Sequence, residues 1–434
     1  MEGSSTSIQS GYFSVSNMTR ENVISISVNY RVGTLGFLSV QALTDETKEH
    51  PEANFGLFDV IEALRWIQDN IKGFGGDPKR VTVYGQSSGG SLVLALATSP
   101  LAGKLFRNGI SMSGSPKLSS TPKDAAAEYY SEFLANTPCH HAKNLSECLH
   151  DLPAEQVQSA MPKDWDSASF SFSAFSHNFT YAPVLLVDGV SVVKDYLSAM
   201  KSPPENSPLS LNTFRLIVGT TREEIDFAPG DDVSNVSSER FRDFVYDHVS
   251  DGLGHDVASK TISRYLHDDS TPQQQIYSQI VSDATIWCPT TYLLDAASEN
   301  LRNRFYVYQT SQKPGHAFCP LGPFQMIPNY CPEYAFHAID MFMMFKVPWG
   351  VRGCCTGDEV PYKYTESDVQ YGDTLAKRFA DFSKEGRVES WDTYGSDRNV
   401  VRMQVPGEKM EVNYRINYCD GLWWNYYDRL GLIN

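Results

Sequence analysis

The segment Gly85-Gln86-Ser87-Ser88-Gly89 sets a serine between glycines in the order G-x-S-x-G. A serine hydroxyl is a weak nucleophile until a base takes its proton, so the motif matters only where the backbone presents that hydroxyl to a substrate. Its flanks meet that condition. Arg80 to Tyr84 (RVTVY) reads as a short buried strand, and the apolar run SLVLALA that follows reads as a helix. A strand that turns directly into a helix brings its own backbone close together, so the flanking positions call for glycine or another small residue. The serine is left exposed at the top of the sheet. The start of the helix also places its positive end beneath a forming oxyanion. The chemistry expected of Ser87 is nucleophilic attack on a carbonyl carbon.

Such a serine needs a base and an acid, in the chain order serine, acid, histidine. Of ten histidines, His140, His141, His150, His177, His248, His255 and His267 sit in polar contexts. His316 and His337 are the later candidates, each in an aromatic or Gly/Pro-rich loop, and residue chemistry alone does not choose between them. On the acid side, Glu223 and Glu224 lie just beyond the apolar run FRLIV. A loop at the C-terminal end of that strand faces the same crevice as Ser87. An exposed loop carboxylate beside Arg222 is an equal reading of Glu224.

The elements that would position these residues alternate in type. Asn22 to Tyr30 (NVISISVNY) has the alternation of a strand, and Leu57, Val60, Ile61, Leu64, Ile67 and Ile71 recur at helical spacing up to a stop at Gly73. After the strand and helix around Ser87, Asn108 to Met112 reads as a further strand. That order implies βαβ units and a mostly parallel sheet. Beyond it the patterning predicts helices over Pro122 to Leu134, Pro153 to Met161, Ile276 to Leu301 and Glu366 to Phe382. It predicts strands over Phe214 to Val218, Arg304 to Tyr308 and Val400 to Val405, and a closing helix over Asp420 to Leu430. There is no internal repeat or linker, so residues 1–434 are expected to form a single domain.

Composition narrows the function classes. The 434 residues carry 36 basic and 52 acidic side chains, a formal charge of −16, with no basic run. Nucleic acid is therefore not an expected partner, since its binding rests on Lys and Arg neutralising phosphates. No apolar stretch approaches the roughly 18 residues of a membrane span. Met1 to Arg20 has no apolar core of a signal peptide, yet the eight cysteines are even in number and widely scattered. Sequons stand at Asn17, Asn144, Asn178 and Asn235, not far above what a Ser/Thr-rich chain carries by chance. The body reads as secreted, while the front has no export signal.

The runs NVISISVNYRVGTLGFLS, NFGLFDVIEALRWIQDNIKGFGGDPKRVTVYGQSSGG and NGISMSGSP resemble the type-B carboxylesterase family, which includes the cholinesterases, and the resemblance extends over essentially the whole chain. It implies an α/β-hydrolase fold and a Ser-Glu-His triad. Ser87 matches the family's nucleophile, GTTREEI puts Glu224 at its acid, and FHAIDMF puts His337, rather than His316, at its histidine. The resemblance also implies disulfides between Cys139 and Cys148 and between Cys288 and Cys419. Cys319, Cys331, Cys354 and Cys355 have no clear counterpart, and a Cys319–Cys331 bridge is one option. Neither a metal nor an organic cofactor is implied.

Three departures stand out. Gln86 replaces the usual glutamate before the nucleophile, so a cationic choline ester is expected to be held less well. Ile225 replaces the glycine after the acid, and Ala338 the glycine after the histidine. The His/Gly-rich oxyanion loop that precedes the NYR strand in this family has no match here, so the sequence is expected to lack the N-terminal part of the fold. The reading is a secreted serine esterase acting on a small-molecule ester through an acyl-enzyme, with the Ser88 amide as one oxyanion donor. The rival is a non-catalytic adhesion or binding protein on the same fold, or a fragment left inactive by the absent loop.

Overall fold

The structure is a computed structural model that describes residues 16–39, 53–114, 130–162, 185–226, 231–267, 270–316, 332–346, 350–352 and 359–427. Its strands are β1 (Thr82–Gln86), β2 (Asn108–Met112), β3 (Arg215–Thr221), β4 (Phe305–Thr310), β5 (Gly350–Arg352), β6 (Glu359–Pro361), β7 (Val400–Met403) and β8 (Glu408–Glu411). Six of them form one sheet in the order β1-β2-β3-β4-β7-β8, and β5 and β6 form a small antiparallel pair. Neighbours from β1 to β7 run parallel, and only β8 turns back antiparallel. Every residue of β2 and β4 is buried, as is all of β3 after Arg215. Such unbroken burial is what a parallel sheet covered on both faces demands.

The covering helices are α1 (Phe55–Asn70), α2 (Ser88–Thr98), α3 (Ser238–Leu253), α4 (His255–Tyr265), α5 (Gln273–Ser282), α6 (Cys288–Ala296), α7 (Ile339–Phe345) and α8 (Glu366–Glu385). In α2 every residue after Ser88 is buried, as its uninterrupted Leu/Ala/Val run requires. In α8 only one stripe is buried. It starts in a capping box of Thr365 and Asp368 and stops at Gly386, whose φ is +71°. One apolar core joins residues from Met18 to Tyr427.

Several expectations need correction. Asn22 to Tyr30 is extended but is no strand, because no neighbour among the described residues pairs with it. The helix expected over Ile276 to Leu301 is broken: a wide π turn at Asp283–Trp287 separates α5 from α6, and the chain leaves helical geometry at Ala297. The closing helix is replaced by short turns, since Asp420 is extended and Gly421 has φ +71°. The hairpin strand β8, half-buried and mostly polar, gives no apolar signal and was not expected from the sequence.

Both disulfides that the resemblance implies are present, Cys139–Cys148 with Cα atoms 5.7 Å apart and Cys288–Cys419 with 5.2 Å. Cys319, Cys331, Cys354 and Cys355 lie outside the described residues, as does Asn178. Of the other sequons, Asn144 and Asn235 are exposed. Asn17 is not a glycan site in this fold. Its side chain is 4% exposed and its amide donates to the Met344 carbonyl at 2.7 Å, which leaves the nitrogen no path to solvent. Among the described residues no helix is long and apolar enough to cross a membrane.

Candidate active site

Ser87 occupies the single residue between β1 and α2, with φ +59° and ψ −126°. An L-residue is strained there, at a cost of about 1–3 kcal/mol. The neighbours hold it in place. Its amide donates to the Met112 carbonyl at 2.8 Å, and its carbonyl accepts the first helical bond of α2 from Ser91. The glycines around it are obligatory: a Cβ on Gly85 would lie 2.3 Å from the Gly89 carbonyl oxygen, and one on Gly90 would lie 2.8 Å from the Met112 oxygen. The serine is half-buried at the C-terminal end of the parallel strands, where ligand crevices form in such sheets.

Glu224 lies in the loop leaving β3, and His337 in the loop entering α7. The structure brings them together. His337 Nδ1 is 2.5 Å from Glu224 Oε2, and the His337 amide donates to the Glu224 carbonyl at 3.1 Å. The other carboxylate oxygen of Glu224 accepts from the Ser113 hydroxyl at 2.7 Å and from the Thr221 amide at 2.6 Å. Glu224 is wholly buried and His337 nearly so. Ile225, despite replacing a glycine, closes the turn as a buried core residue, and Ala338 takes φ +69° to start α7.

The far side of the imidazole faces the nucleophile's neighbour. Gln86 Nε2 is 3.0 Å from His337 Nε2. With the amide as donor, Nε2 accepts and Nδ1 carries its proton toward Glu224, the tautomer a general base needs. No hydrogen bond joins Ser87 Oγ to the imidazole. His316 is not part of the cluster: it is exposed near the start of α8, its ring 6.3 Å from that of Tyr362.

Two further acids in the same turn grip the loop that carries His337. Glu223 accepts from Gln275 and Gln279 of α5, both at 2.9 Å, and its backbone amide donates to the Ala335 carbonyl. Asp226 accepts from the amides of Glu333 and Tyr334 at 2.8 and 2.9 Å. Burial pushes the Asp226 carboxyl up to about 7 against those two bonds, and the carboxylates of Glu223 and Glu333 add to the rise. Under the imidazole, burial raises Asp340 to about 6, although Tyr308 donates to it at 2.8 Å.

The sequence reading passed over Ser113 and Asp226. Ser113 had one usable signal, its place just past the end of β2, beside the strand that delivers Glu224. Among the described residues no group of His, Cys, Asp and Glu could hold a metal ion.

A model of the carboxylesterase family matches residues 1–422. Fumonisin B1 esterase of Sphingopyxis macrogoltabida is 43% identical over 99 residues, 23% of this chain and 18% of that protein. Carboxylesterase 1D of Rattus norvegicus is 24% identical over 425 residues, 93% of this chain and 68% of the relative. Acetylcholinesterase of Bungarus fasciatus is 25% identical over 430 residues, 94% and 64% of the two. The chain thus spans about two thirds of the length of the last two and a smaller part of the first.

Proposed function

The chain belongs to the carboxylesterase family, an α/β-hydrolase family, and on that premise we propose that it is a serine hydrolase of carboxylic esters working through an acyl-enzyme. The observation that carries this reading is the buried Glu224–His337 pair, 2.5 Å apart, beside a serine in a strained elbow. In this reading His337 Nε2 takes the Ser87 proton as Oγ attacks the ester carbonyl, and the imidazolium returns it to the leaving alcohol. Glu224 fixes the tautomer and stabilises the charged ring. The Ser88 amide, at the head of α2, donates to the oxyanion, where a single donor is worth about 10²–10³ in rate. A water activated by the same histidine then releases the acid.

The substrate is a small ester. The Gln86 amide in place of a carboxylate favours neutral over cationic alcohols. We read residues 1–434 as one domain built on the shared core. The two disulfides and the exposed sequons at Asn144 and Asn235 support a secretory-pathway protein. One observation favours a second reading, a binding protein without turnover: Gln86, not Ser87, lies on His337 Nε2.

A fluorophosphonate probe separates the two, since it labels only an activated serine. Labelling confined to the Gly85–Gly90 peptide and lost in Ser87→Ala supports the hydrolase. Labelling that survives Ser87→Ala removes Ser87 from the mechanism, and no labelling at all supports the binding protein.

A further inference from the structure

Helix α5 and the π turn that continues it carry a polar stripe. Gln275, Gln279 and Asp283 recur every fourth residue, which sets them one above another on one face, while Ile276 and Ile280 turn into the core. Opposite the stripe lies the turn that delivers Glu224, and the two surfaces match chemically. Gln275 and Gln279 donate to the same oxygen of Glu223, each at 2.9 Å. Asp283 stands 3.9 Å from the Arg222 guanidinium. Asp283 is itself anchored, since it accepts from the Tyr265 hydroxyl at 2.7 Å and pairs with Arg415. Neutral donors thus meet the anion of the turn, and an anchored anion meets its cation.

On its far side Glu223 holds Ala335 by both backbone groups. Its second oxygen accepts from the Ala335 amide at 3.4 Å, and its own amide donates to the Ala335 carbonyl at 3.1 Å. His337 lies two residues on, with its amide on the Glu224 carbonyl. Residues 335 and 337 are therefore registered against 223 and 224. Both oxygens of Glu223 act as acceptors, and only a carboxylate offers two. A carboxamide has one acceptor oxygen, so it can serve α5 or the Ala335 amide but not both. Stability alone does not call for this residue, because a buried charged group is often replaceable by an apolar one at no loss. What the carboxylate adds is a fixed register for the loop that bears the imidazole.

We propose that Glu223 is a positioning residue, with Gln275 and Gln279 of α5 as its support, and that together they set the His337 ring between Glu224 and Ser87. The proposal rests on the hydrolase reading for its effect on rate, but not for its effect on the ring.

The test uses the full 434-residue chain with isotopically labelled histidine. Nitrogen NMR follows the two ring nitrogens of His337, assigned by their loss in His337→Gln. Glu223→Gln keeps the size of the side chain and removes one acceptor. The expected result is that the two ring signals, separate in the unaltered protein, move toward each other as the second tautomer becomes populated. On a p-nitrophenyl ester kcat should fall about tenfold, within the roughly 10² that a misplacement of about 1 Å can cost. KM should stay within about twofold, because Glu223 does not touch the ester. Gln275→Met combined with Gln279→Met removes the support from the other side with good helix formers, should move both readouts the same way, and decides the matter if Glu223→Gln does not fold. Ring signals unmoved in both variants overturn the proposal, as does an unchanged kcat in an active enzyme whose ring signals move. If the unaltered protein hydrolyses no ester and takes no fluorophosphonate, the hydrolase reading fails by itself, and the ring signals still decide the role of Glu223.

Discussion

The two halves of the candidate site are held in opposite ways. The acid–histidine half is fixed by bonds: Glu224 is fully buried, both its oxygens are occupied, and Glu223 and Asp226 tie the loop carrying His337 to the same turn. The serine half is fixed by exclusion. Ser87 sits at φ +59° because glycines at 85 and 90 let the backbone close around it. Bonds make one half tolerant of small losses, since several must fail together. Steric exclusion makes the other half sensitive to any added atom.

The largest effects fall where the halves meet. His337→Ala should reduce ester hydrolysis by about 10⁶, as much as Ser87→Ala, because either loss disables the pair. Glu224→Gln should cost about 10⁴ by favouring the wrong tautomer. Steady-state rates on a p-nitrophenyl ester measure all three, and a mild His337→Ala would break the comparison at its centre. Ser113→Ala comes next. It deletes one bond to a buried carboxylate, worth about 1.5–3 kcal/mol, so kcat should fall about 10- to 100-fold with KM little changed. A fall as large as that of Glu224→Gln would show the bonded half to be less redundant than described.

Gln86→Ala tests the serine half. If Gln86 holds an imidazole nitrogen that Ser87 needs, removing it should raise the fluorophosphonate labelling rate about two- to tenfold, the worth of one neutral hydrogen bond. A slower rate would make Gln86 a support rather than a competitor. The smallest effect is a pH dependence. Asp226 titrates near 7 in the fold against about 3.9 in an unfolded chain, so between those values the folded state holds more protons. The stability it contributes is therefore full below about pH 4 and is lost as pH rises through 7. Asp226→Asn should flatten the Tm profile across that window relative to the unaltered protein. An unchanged profile would remove Asp226 from the clamp.

Ser87 was legible in the sequence because its signal is local: strand, tight glycines and helix lie within one stretch of chain. Glu224 and His337 were not legible from chemistry alone, since loops 113 residues apart in sequence meet only in the fold. The family resemblance, not periodicity, separated His337 from His316. Ser113 and Asp226 are ordinary residues in the sequence and acquire roles only through neighbours on other strands. The alternation of Asn22 to Tyr30 expresses a side-chain preference for a pleated surface, but a strand exists only when another strand lies beside it. The sequon at Asn17 cannot report that its amide is enclosed by Met344 and Asp373.

The Cys288–Cys419 bond spans 131 positions, and between its ends, in the stretch just after α8, Arg387, Glu389 and Ser390 are exposed. All of Ser87, Glu224 and His337 precede that stretch. A protease that nicks it would divide the polypeptide without dividing the molecule, because the C-terminal piece, β7 and β8 included, stays tethered through sulfur. On a gel the nicked form would migrate whole until thiol was added and then fall into two bands. That is a tolerance to wear: the backbone can be cut once while Ser87, Glu224 and His337 remain on one continuous length of chain.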